Sequence, residues 1–599
     1  MTAWAIQSVG ADARREADGF VGYRLLEELG YPNRQAPSNY KFVSHTYEFA
    51  AFSNLEDPES EGFREAAELA FESMRAVEGA ERGGNESPHV LHTACYGVLA
   101  DRTPDVARYL RKRMLPERPP ADADWGKHVR ASVYRLWLLL LRKDGWADLD
   151  AVQEEVVALR DAQGQGEERY LSMQANPRSV AWELIASYHL SKAAELLGTF
   201  LSQGMAGGGF NIREQLEAQF DRSIVACERA ELAEFYVTVR LLAATAERMV
   251  ANSIWSVTRG AGGRISTFVT NLVSRATENP LFEMLPPQRI TLRKNGLLGS
   301  GHRAVVVSLP TSSGKTFIAQ FRMLQALNQF EAEQGWVAYV APTRALVNQV
   351  CAKMRRDFQE LGIVVERVSP AMEIDGVEAE FLVDTDRGSA FRVLVGTPEK
   401  LDLLLRGGWE KKIGRPLTLV VVDEAHNISS GQRGLKLELL LATINRECRN
   451  SQFLLLTPFI ENHEQVAQWL SPDSHANMTV EYNWRPNDRA IVIAQPQKTD
   501  RRGDFSLALS TVHTSKGTID VEEDISICSG RTLGLTWSKV SGALSNVAAA
   551  TASCLNKRGP VIVVAGRVAD TWSIARTLAN DPDIQRDVRQ IRVVGVKKI

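Results

Sequence analysis

The chain has 599 residues, 44% of them hydrophobic and 24% charged, with a formal net charge of −3 at pH 7. It is too long for one hydrophobic core and has the composition of an ordinary folded protein, not of a disordered or fibrous one. The near-neutral charge excludes a global basic field, so any polyanion has to be held by a local track of Lys and Arg. The six cysteines (Cys95, Cys227, Cys351, Cys448, Cys528, Cys554) include no CxxC pair, which argues against a zinc or disulfide framework and for free thiols in a reducing cytoplasm. The first residues, Met1-Thr2-Ala3-Trp4-Ala5-Ile6, lack the basic start and apolar core of a signal peptide. The most apolar short run, Leu136 to Leu141, lies between Arg135 and Arg142 and is far too short for a bilayer; it reads as a buried helix, and no membrane partner is expected.

Residues 1–280 read as a helical accessory region, with room for two subdomains. Phe63 to Val77, Val129 to Leu141, Ala181 to Leu201 and Leu232 to Ile254 carry apolar residues at helical spacing. Breaks are expected at Pro116 to Pro120, at Gly164-Gln165-Gly166 and at Gly204 to Gly209. No period typical of a helical repeat array is found.

Over residues 281–470 apolar strands alternate with amphipathic helices: Ala304–Ser308, Val337–Val340, Ile363–Val368, Phe391–Val395, Leu419–Val422 and Phe453–Leu456. Continuous apolar strands suit a parallel sheet covered on both faces, a doubly wound α/β domain with its chemistry at the carboxyl ends of the strands. Residues 471–556 read as a mixed linker or insertion, with strands at Ala490–Ala494 and Ile525–Ile527 and a helix from Trp537 to Leu555. Residues 557–599 read as the opening of a second α/β domain: a strand at Pro560–Ala565, a helix at Trp572–Leu578 and a strand at Ile591–Val596. A domain of that class normally needs well over about 100 residues, so this one reads as incomplete.

The chemistry is concentrated in two motifs. The apolar run Val305-Val306-Val307 enters Ser308-Leu309-Pro310-Thr311-Ser312-Ser313-Gly314-Lys315-Thr316, and a helix follows. Backbone N–H groups of Thr311, Ser312, Ser313 and Gly314, a helix N-terminus and the Lys315 ammonium converge on one anionic centre. Gly314 admits phosphate oxygens close to the backbone, Lys315 suits the β- and γ-phosphates, and the Thr316 hydroxyl suits magnesium. The second motif, Asp423-Glu424-Ala425-His426, ends the run Leu419 to Val422. Asp423 offers a hard oxygen ligand to Mg2+, Glu424 a base for the attacking water, and His426 a link from the nucleotide to the other lobe. Together, in this order, the motifs read as an ATPase using ATP and Mg2+.

The block resembles the first RecA-like domain of superfamily-2 helicases of the DExH/DEAD type. Leu285-Pro286-Pro287-Gln288 is similar to their upstream glutamine motif, which implies that Gln288 reads the adenine edge. Ala341-Pro342-Thr343-Arg344-Ala345-Leu346 and Gly396-Thr397-Pro398-Glu399-Lys400-Leu401 are similar to the loops that hold one nucleic-acid strand. The resemblance therefore implies backbone contacts from Pro342, Thr343, Arg344, Thr397, Pro398 and Lys400, a type of contact that carries no sequence information. The partner it implies is DNA or RNA, with DNA favoured.

Three departures qualify it. The usual Ser/Thr-Ala-Thr coupling motif is replaced by Thr457-Pro458-Phe459, and Leu309 stands where the phosphate loop usually has glycine or alanine. Motifs of the second RecA-like domain, including arginines that complete the ATP site, have no counterpart before Ile599. Arginines of that kind are worth about 10³–10⁵ in rate. Three readings follow: an ATP-dependent helicase or translocase, a nucleotide-gated binding subunit without unwinding activity, or a helicase portion completed by a partner subunit. The setting implied by resemblance is that of large bacterial helicases in defence or repair.

Overall fold

The structure is a computed structural model that describes residues 8–26, 36–57, 60–77, 87–113, 115–116, 124–205, 211–294, 296–298, 301–368, 391–406, 413–429, 431–458, 462–473, 477–482, 484, 489–514, 525–529, 532–556 and 561–580. The chain divides into two compact units, Asp101–Pro486 and the combination of Met1–Ala100 with Asn487–Ile599. The helical stretch expected at the start is thus shared between the units.

In the unit that holds both chain ends, the first part is four helices: α1 (Ala11–Leu26), α2 (Tyr40–Phe52), α3 (Glu61–Val77) and α4 (Ser87–Leu99). The Asp101–Pro486 unit begins with α5 (Thr103–Arg111), α6 (Trp125–Arg142), α7 (Trp146–Ser172), α8 (Pro177–Gln203), α9 (Ile212–Ala230), α10 (Ala233–Asn252), a one-turn α11 (Ile254–Val257) and α12 (Arg264–Val273). Helix α6 is capped by the Asp124 carboxylate, which accepts from Lys127 N–H at 2.8 Å, and its Leu136–Leu141 run is fully buried as expected.

The break expected at Gly164–Gly166 is absent, because α7 runs through it. A Cβ on Gly166 would lie 2.5 Å from the Trp125 ring, so this glycine serves a close crossing of α6 and α7. That packing outweighs the roughly 1 kcal/mol propensity cost of a helical glycine. The break at Gly204 does occur: it ends α8 with φ +72°, a left-handed conformation that glycine adopts at little cost.

A four-residue helix, α13 (Pro286–Arg289), leads into the α/β part. There the order is β1 (Ala304–Ser308), α14 (Lys315–Gln329), β2 (Trp336–Val340), α15 (Arg344–Phe358), β3 (Val365–Arg367), β4 (Val393–Gly396), α16 (Pro398–Arg406), β5 (Leu417–Val422), α17 (Gly431–Glu447), β6 (Gln452–Thr457), α18 (His463–Leu470) and β7 (Asn477–Glu481). They form one sheet of order β3-β4-β2-β5-β6-β1-β7, with every pairing parallel. Every residue of β1, β2, β4, β5 and β6 is buried, which is why those strands read as unbroken apolar runs. This is the RecA-like α/β architecture, preceded by mostly helical chain.

All six expected strands are present, although β3 is confined to Val365–Arg367. Strand β7 was not anticipated, because Asn477-Met478-Thr479-Val480-Glu481 lacks an apolar run, as suits a strand at the sheet edge. An exposed clamp joins helix to sheet: the Glu331 carboxylate lies 2.6 Å from Arg264 and 2.9 Å from Arg392. Hydrogen bonds from those guanidinium groups hold its carboxyl down at about 2.

The rest of the unit that holds both chain ends contains β8 (Ala490–Lys498), β9 (Phe505–Thr514) and β10 (Ile525–Ser529) in antiparallel order β10-β9-β8. The helix expected from Trp537 to Leu555 is two, α19 (Trp537–Ser541) and α20 (Leu544–Asn556), interrupted at Gly542. Helix α21 (Val568–Leu578) follows. The strand expected at Pro560–Ala565 is not formed over the described residues 561–565. No strand pairs with it among the described residues, and Ile562 is 90% exposed. The expected strand at Ile591–Val596 lies outside the described residues. Among the described residues no helix is long and apolar enough to cross a membrane, and Cys95, Cys227, Cys351, Cys448 and Cys554 are free thiols.

Candidate nucleotide site and helicase domain

Strand order decides what meets at the carboxyl edge of the large sheet. Strand β1 delivers the loop 309–316, and β5 delivers Asp423 and Glu424. Strand β6 lies between β1 and β5, with Thr457 in register with Ser308. Thr457 is fully buried, and its carbonyl accepts from Leu309 N–H at 3.0 Å, so it braces the root of the phosphate loop.

The loop itself is held open by backbone geometry that few residues adopt. Ser312 and Gly314 have φ of +68° and +83°. Such left-handed conformations cost about 1–3 kcal/mol each for residues bearing a Cβ and concentrate at functional loops. A Cβ on Gly314 would lie 2.2 Å from the Gln288 amide nitrogen, so only glycine lets Gln288 approach. Lys315 opens α14 and is buried; its ammonium donates to the carbonyls of Leu309 at 3.1 Å and Pro310 at 3.3 Å. Burial lowers its pKa, while the negative charges of Glu424 and Asp423 work in the opposite direction. Anionic oxygens offer such an ammonium better partners than neutral carbonyls do.

The acidic pair is held as firmly. Asp423 N–H donates to the Val340 carbonyl at 2.8 Å, and the Glu424 N–H donates back to Asp423 Oδ1 at 3.0 Å. Glu424 has φ +53°, a conformation fixed by Asn427, whose backbone N–H and side-chain amide both donate to the Glu424 carbonyl, at 3.0 and 2.8 Å. His426 places Nδ1 3.4 Å from Glu424 Oε2. Behind the box, a Cβ on Gly434 of α17 would lie 2.0 Å from the Ile428 carbonyl oxygen, so that glycine permits the tight return of the chain.

One functional side chain escaped the sequence reading. Tyr339, fully buried in β2, donates its hydroxyl proton to Asp423 Oδ2 at 2.7 Å, and the Thr316 side chain is near enough to lower its pKa. Burial and the Asp423 charge push its pKa well above the ordinary value, so it stays a donor. One phenol thereby holds Asp423 and stands near Thr316, the two residues expected to face the metal. The available signal was a lone hydroxyl inside the otherwise buried run Trp336-Val337-Ala338-Tyr339-Val340.

Gln288 is buried on α13; its Oε1 accepts from Leu285 N–H at 3.0 Å and its Nε2 donates to the Ser313 carbonyl at 3.4 Å. It therefore touches the loop 309–316. Thr343 caps α15 by accepting from Leu346 N–H at 3.3 Å, and Arg344 beside it is exposed. Thr397 and Lys400, at the end of β4 and the start of α16, are both buried, as is Pro398. Trp484 is buried, while its neighbours Asn483, Arg485 and Pro486 lie outside the described residues.

The family model for DEAD/DEAH box helicases matches residues 288–465. Residues 288–465 are a DEAD/DEAH box helicase domain. The match runs from Gln288 through the loop 309–316 and the acidic box to α18. Among curated proteins, the ATP-dependent DNA helicase Hel308 of Methanocella arvoryzae is 32% identical over 227 residues, covering 36% of this chain and 28% of that protein. The Hachiman protein HamB of Bacillus cereus is 27% identical over 239 residues, covering 39% of this chain and 19% of that protein. Similarity to these relatives thus spans less than a third of their own length. Among solved structures, the DUF1998 helicase MrfA bound to DNA and AMPPNP aligns with a TM-score of 0.34 at 16% identity, over 54% of this chain and 41% of that one.

Proposed function

We propose that the chain is an ATP-dependent nucleic-acid helicase or translocase in which this domain binds and hydrolyses ATP. The observation that carries the reading is convergence at one sheet edge. Lys315 and Thr316 come from an element more than a hundred residues from Asp423 and Glu424, and Asp423 is held there by the Tyr339 hydroxyl.

The N–H groups of Thr311 to Gly314 and the Lys315 ammonium take the phosphates, and Gln288 takes the adenine edge. The Thr316 hydroxyl and Asp423 carboxylate fit Mg2+: both are hard oxygen donors, and each Asp423 oxygen accepts one hydrogen bond but has two lone pairs. Bound there with the phosphates, Mg2+ supplies charge neutralisation at the β- and γ-oxygens. Glu424 orients a water and takes its proton as the water oxygen bonds to the γ-phosphorus and the bond to the ADP oxygen breaks. His426, beside Glu424, is placed to sense that proton and pass the change to a second lobe. Arg344 with Pro342 and Thr343, and Thr397 and Pro398 with Lys400, form the track for one strand's phosphates; exposed Arg344 engages first. DNA is favoured over RNA. A large bacterial system of genome defence or repair is the setting proposed, with a partner subunit or further chain supplying the second-lobe arginines.

The test is steady-state ATP hydrolysis by the purified chain, with and without single-stranded DNA and RNA, followed by a duplex-separation assay. Stimulation by one polymer supports a motor and names its substrate. Nucleotide binding without hydrolysis under all three conditions would remove the motor reading and leave a nucleotide-gated subunit.

Tyr339→Phe provides a second test. Loss of the phenol leaves Asp423 Oδ2 without its donor, so the Mg2+ concentration for half-maximal hydrolysis is expected to rise about tenfold, consistent with a hydrogen bond to a charged group. The rate at saturating Mg2+ should change little. An unchanged magnesium titration would mean that the phenol only fills space.

A further inference from the structure

The four-residue helix that carries Gln288 runs straight into a π-helical stretch, Ile290–Lys294, and two grips from outside this short segment fix its position. One grip is the phosphate loop, through Gln288. The other lies one position on, about 100° around the helix. Arg289 NH2 is 2.6 Å from Asp101 Oδ1 and its NH1 donates to Asn252 Oδ1. Asp101 is in turn held by Arg248 of α10, Nε to Oδ1 at 3.2 Å and NH2 to Oδ2 at 3.0 Å. The Asp101 side chain is 3% exposed and those of Arg289 and Arg248 are 13% and 15%. Asp101 also has φ +63°, a strained conformation for this residue at the turn before α5.

The chain entering α13 is pinned to the same place. Ile254 N–H donates to the Phe282 carbonyl at 3.0 Å and Met284 N–H to the Asn252 carbonyl at 2.9 Å, a short antiparallel bridge pairing Ser253 with Glu283. Glu283 is buried, and its carboxylate lies 3.5 Å from the buried Lys143 ammonium at the end of α6. Charges from α6, the α5 turn and α10 therefore converge behind a single helical turn. Buried ionic groups contribute less to net stability than to fixing one arrangement against others.

We propose that Arg289 is a positioning residue for nucleobase recognition: held by Asp101, Arg248 and Asn252, it fixes α13 so that Gln288 meets the base. Through this grip the helical region from Asp101 to Val257 sets the affinity and base selectivity of the nucleotide site. Any partner that shifts α10 against the α5 turn changes nucleotide affinity, and nucleotide binding reciprocally steadies those helices. The inference rests on the proposed reading of Gln288 as the adenine contact.

The test compares ATP with GTP in the full chain, as KM and kcat, for wild type, Gln288→Ala, Asp101→Asn, Arg248→Lys and Asp150→Asn. Asp150 makes an exposed pair with Arg275 in the same helical region and controls for general loosening. Wild type is expected to prefer ATP, and Gln288→Ala to lose that preference. Asp101→Asn should reduce the preference about tenfold, mainly through the KM for ATP, with a smaller loss in Arg248→Lys and none in Asp150→Asn.

Equal use of both nucleotides by wild type would overturn the base reading and this proposal with it. A selective wild type, a Gln288→Ala that loses selectivity and an Asp101→Asn that keeps it would overturn this proposal alone. Equal losses in Asp150→Asn would do the same. Should Asp101→Asn not fold, hydrogen exchange in wild type decides. An ATP analogue should slow exchange at residues 249–254 as well as at the phosphate loop, and protection confined to the loop overturns the inference.

Discussion

Lys315→Ala is expected to lower steady-state ATP hydrolysis by at least about 10²–10³, the usual effect of removing one preorganised donor from a developing charge. The argument is structural as well as chemical. The ammonium is buried at the mouth of β1 and rests on two neutral carbonyls of its own loop, at 3.1 and 3.3 Å. Asp423 and Glu424 act on it across the same edge and oppose the effect of burial, so it is placed to exchange carbonyls for phosphate oxygens. Alanine cannot follow that exchange. The fold should survive, because the two carbonyls can turn to water and a lost neutral partner costs only about 1–3 kcal/mol. Hydrolysis measured beside a thermal unfolding curve separates the two effects. Steady turnover in a folded Lys315→Ala chain would remove the assignment of the phosphate loop.

Glu424→Gln is expected to show the complementary split: a loss of about 10²–10⁴ in single-turnover hydrolysis, as for removal of a general base, with nucleotide binding retained. The substitution preserves size and leaves the backbone bracing by Asn427 and Asp423 intact, including the φ of +53°. What it removes is the carboxylate that receives the water's proton. A fluorescent ATP analogue titrated into both proteins reports binding, and rapid quench reports the chemical step. Hydrolysis within about threefold of wild type would move the base elsewhere, because general-base effects are far larger. Lys315→Ala and Glu424→Gln therefore divide the site into a charge-holding and a proton-accepting half.

Much of this site is readable without coordinates, since each motif is a local event at a strand end. The run Val305–Val307 and the turn to Lys315-Thr316 sit in twelve consecutive residues, and the acidic box closes the equally apolar run of β5. Hydrophobic continuity marks a strand buried on both faces whatever its neighbours are. Readings failed where a residue's meaning depends on distant partners. Gly164 to Gly166 resembled a helix break because the packing of Trp125 against Gly166 joins positions forty residues apart. Strand β7 was missed because an edge strand needs no apolar run. The stretch 561–565 has strand-like composition, but composition supplies no partner strand.

The sequence by itself determined which residues are candidates for the nucleotide site, the chain order of the strands that carry them and the helical character of the preceding chain. These follow from local patterning and from residue types whose chemistry is the same wherever they stand. Only the tertiary structure decided that Tyr339 holds Asp423, and that Asp101, Arg248 and Asn252 stand behind the helix of Gln288. Buried hydrogen bonds and ion pairs are fixed by which backbones the sheet order and helix packing bring together. An aspartate in a turn and an arginine 147 positions away carry no mark of each other until the chain is folded.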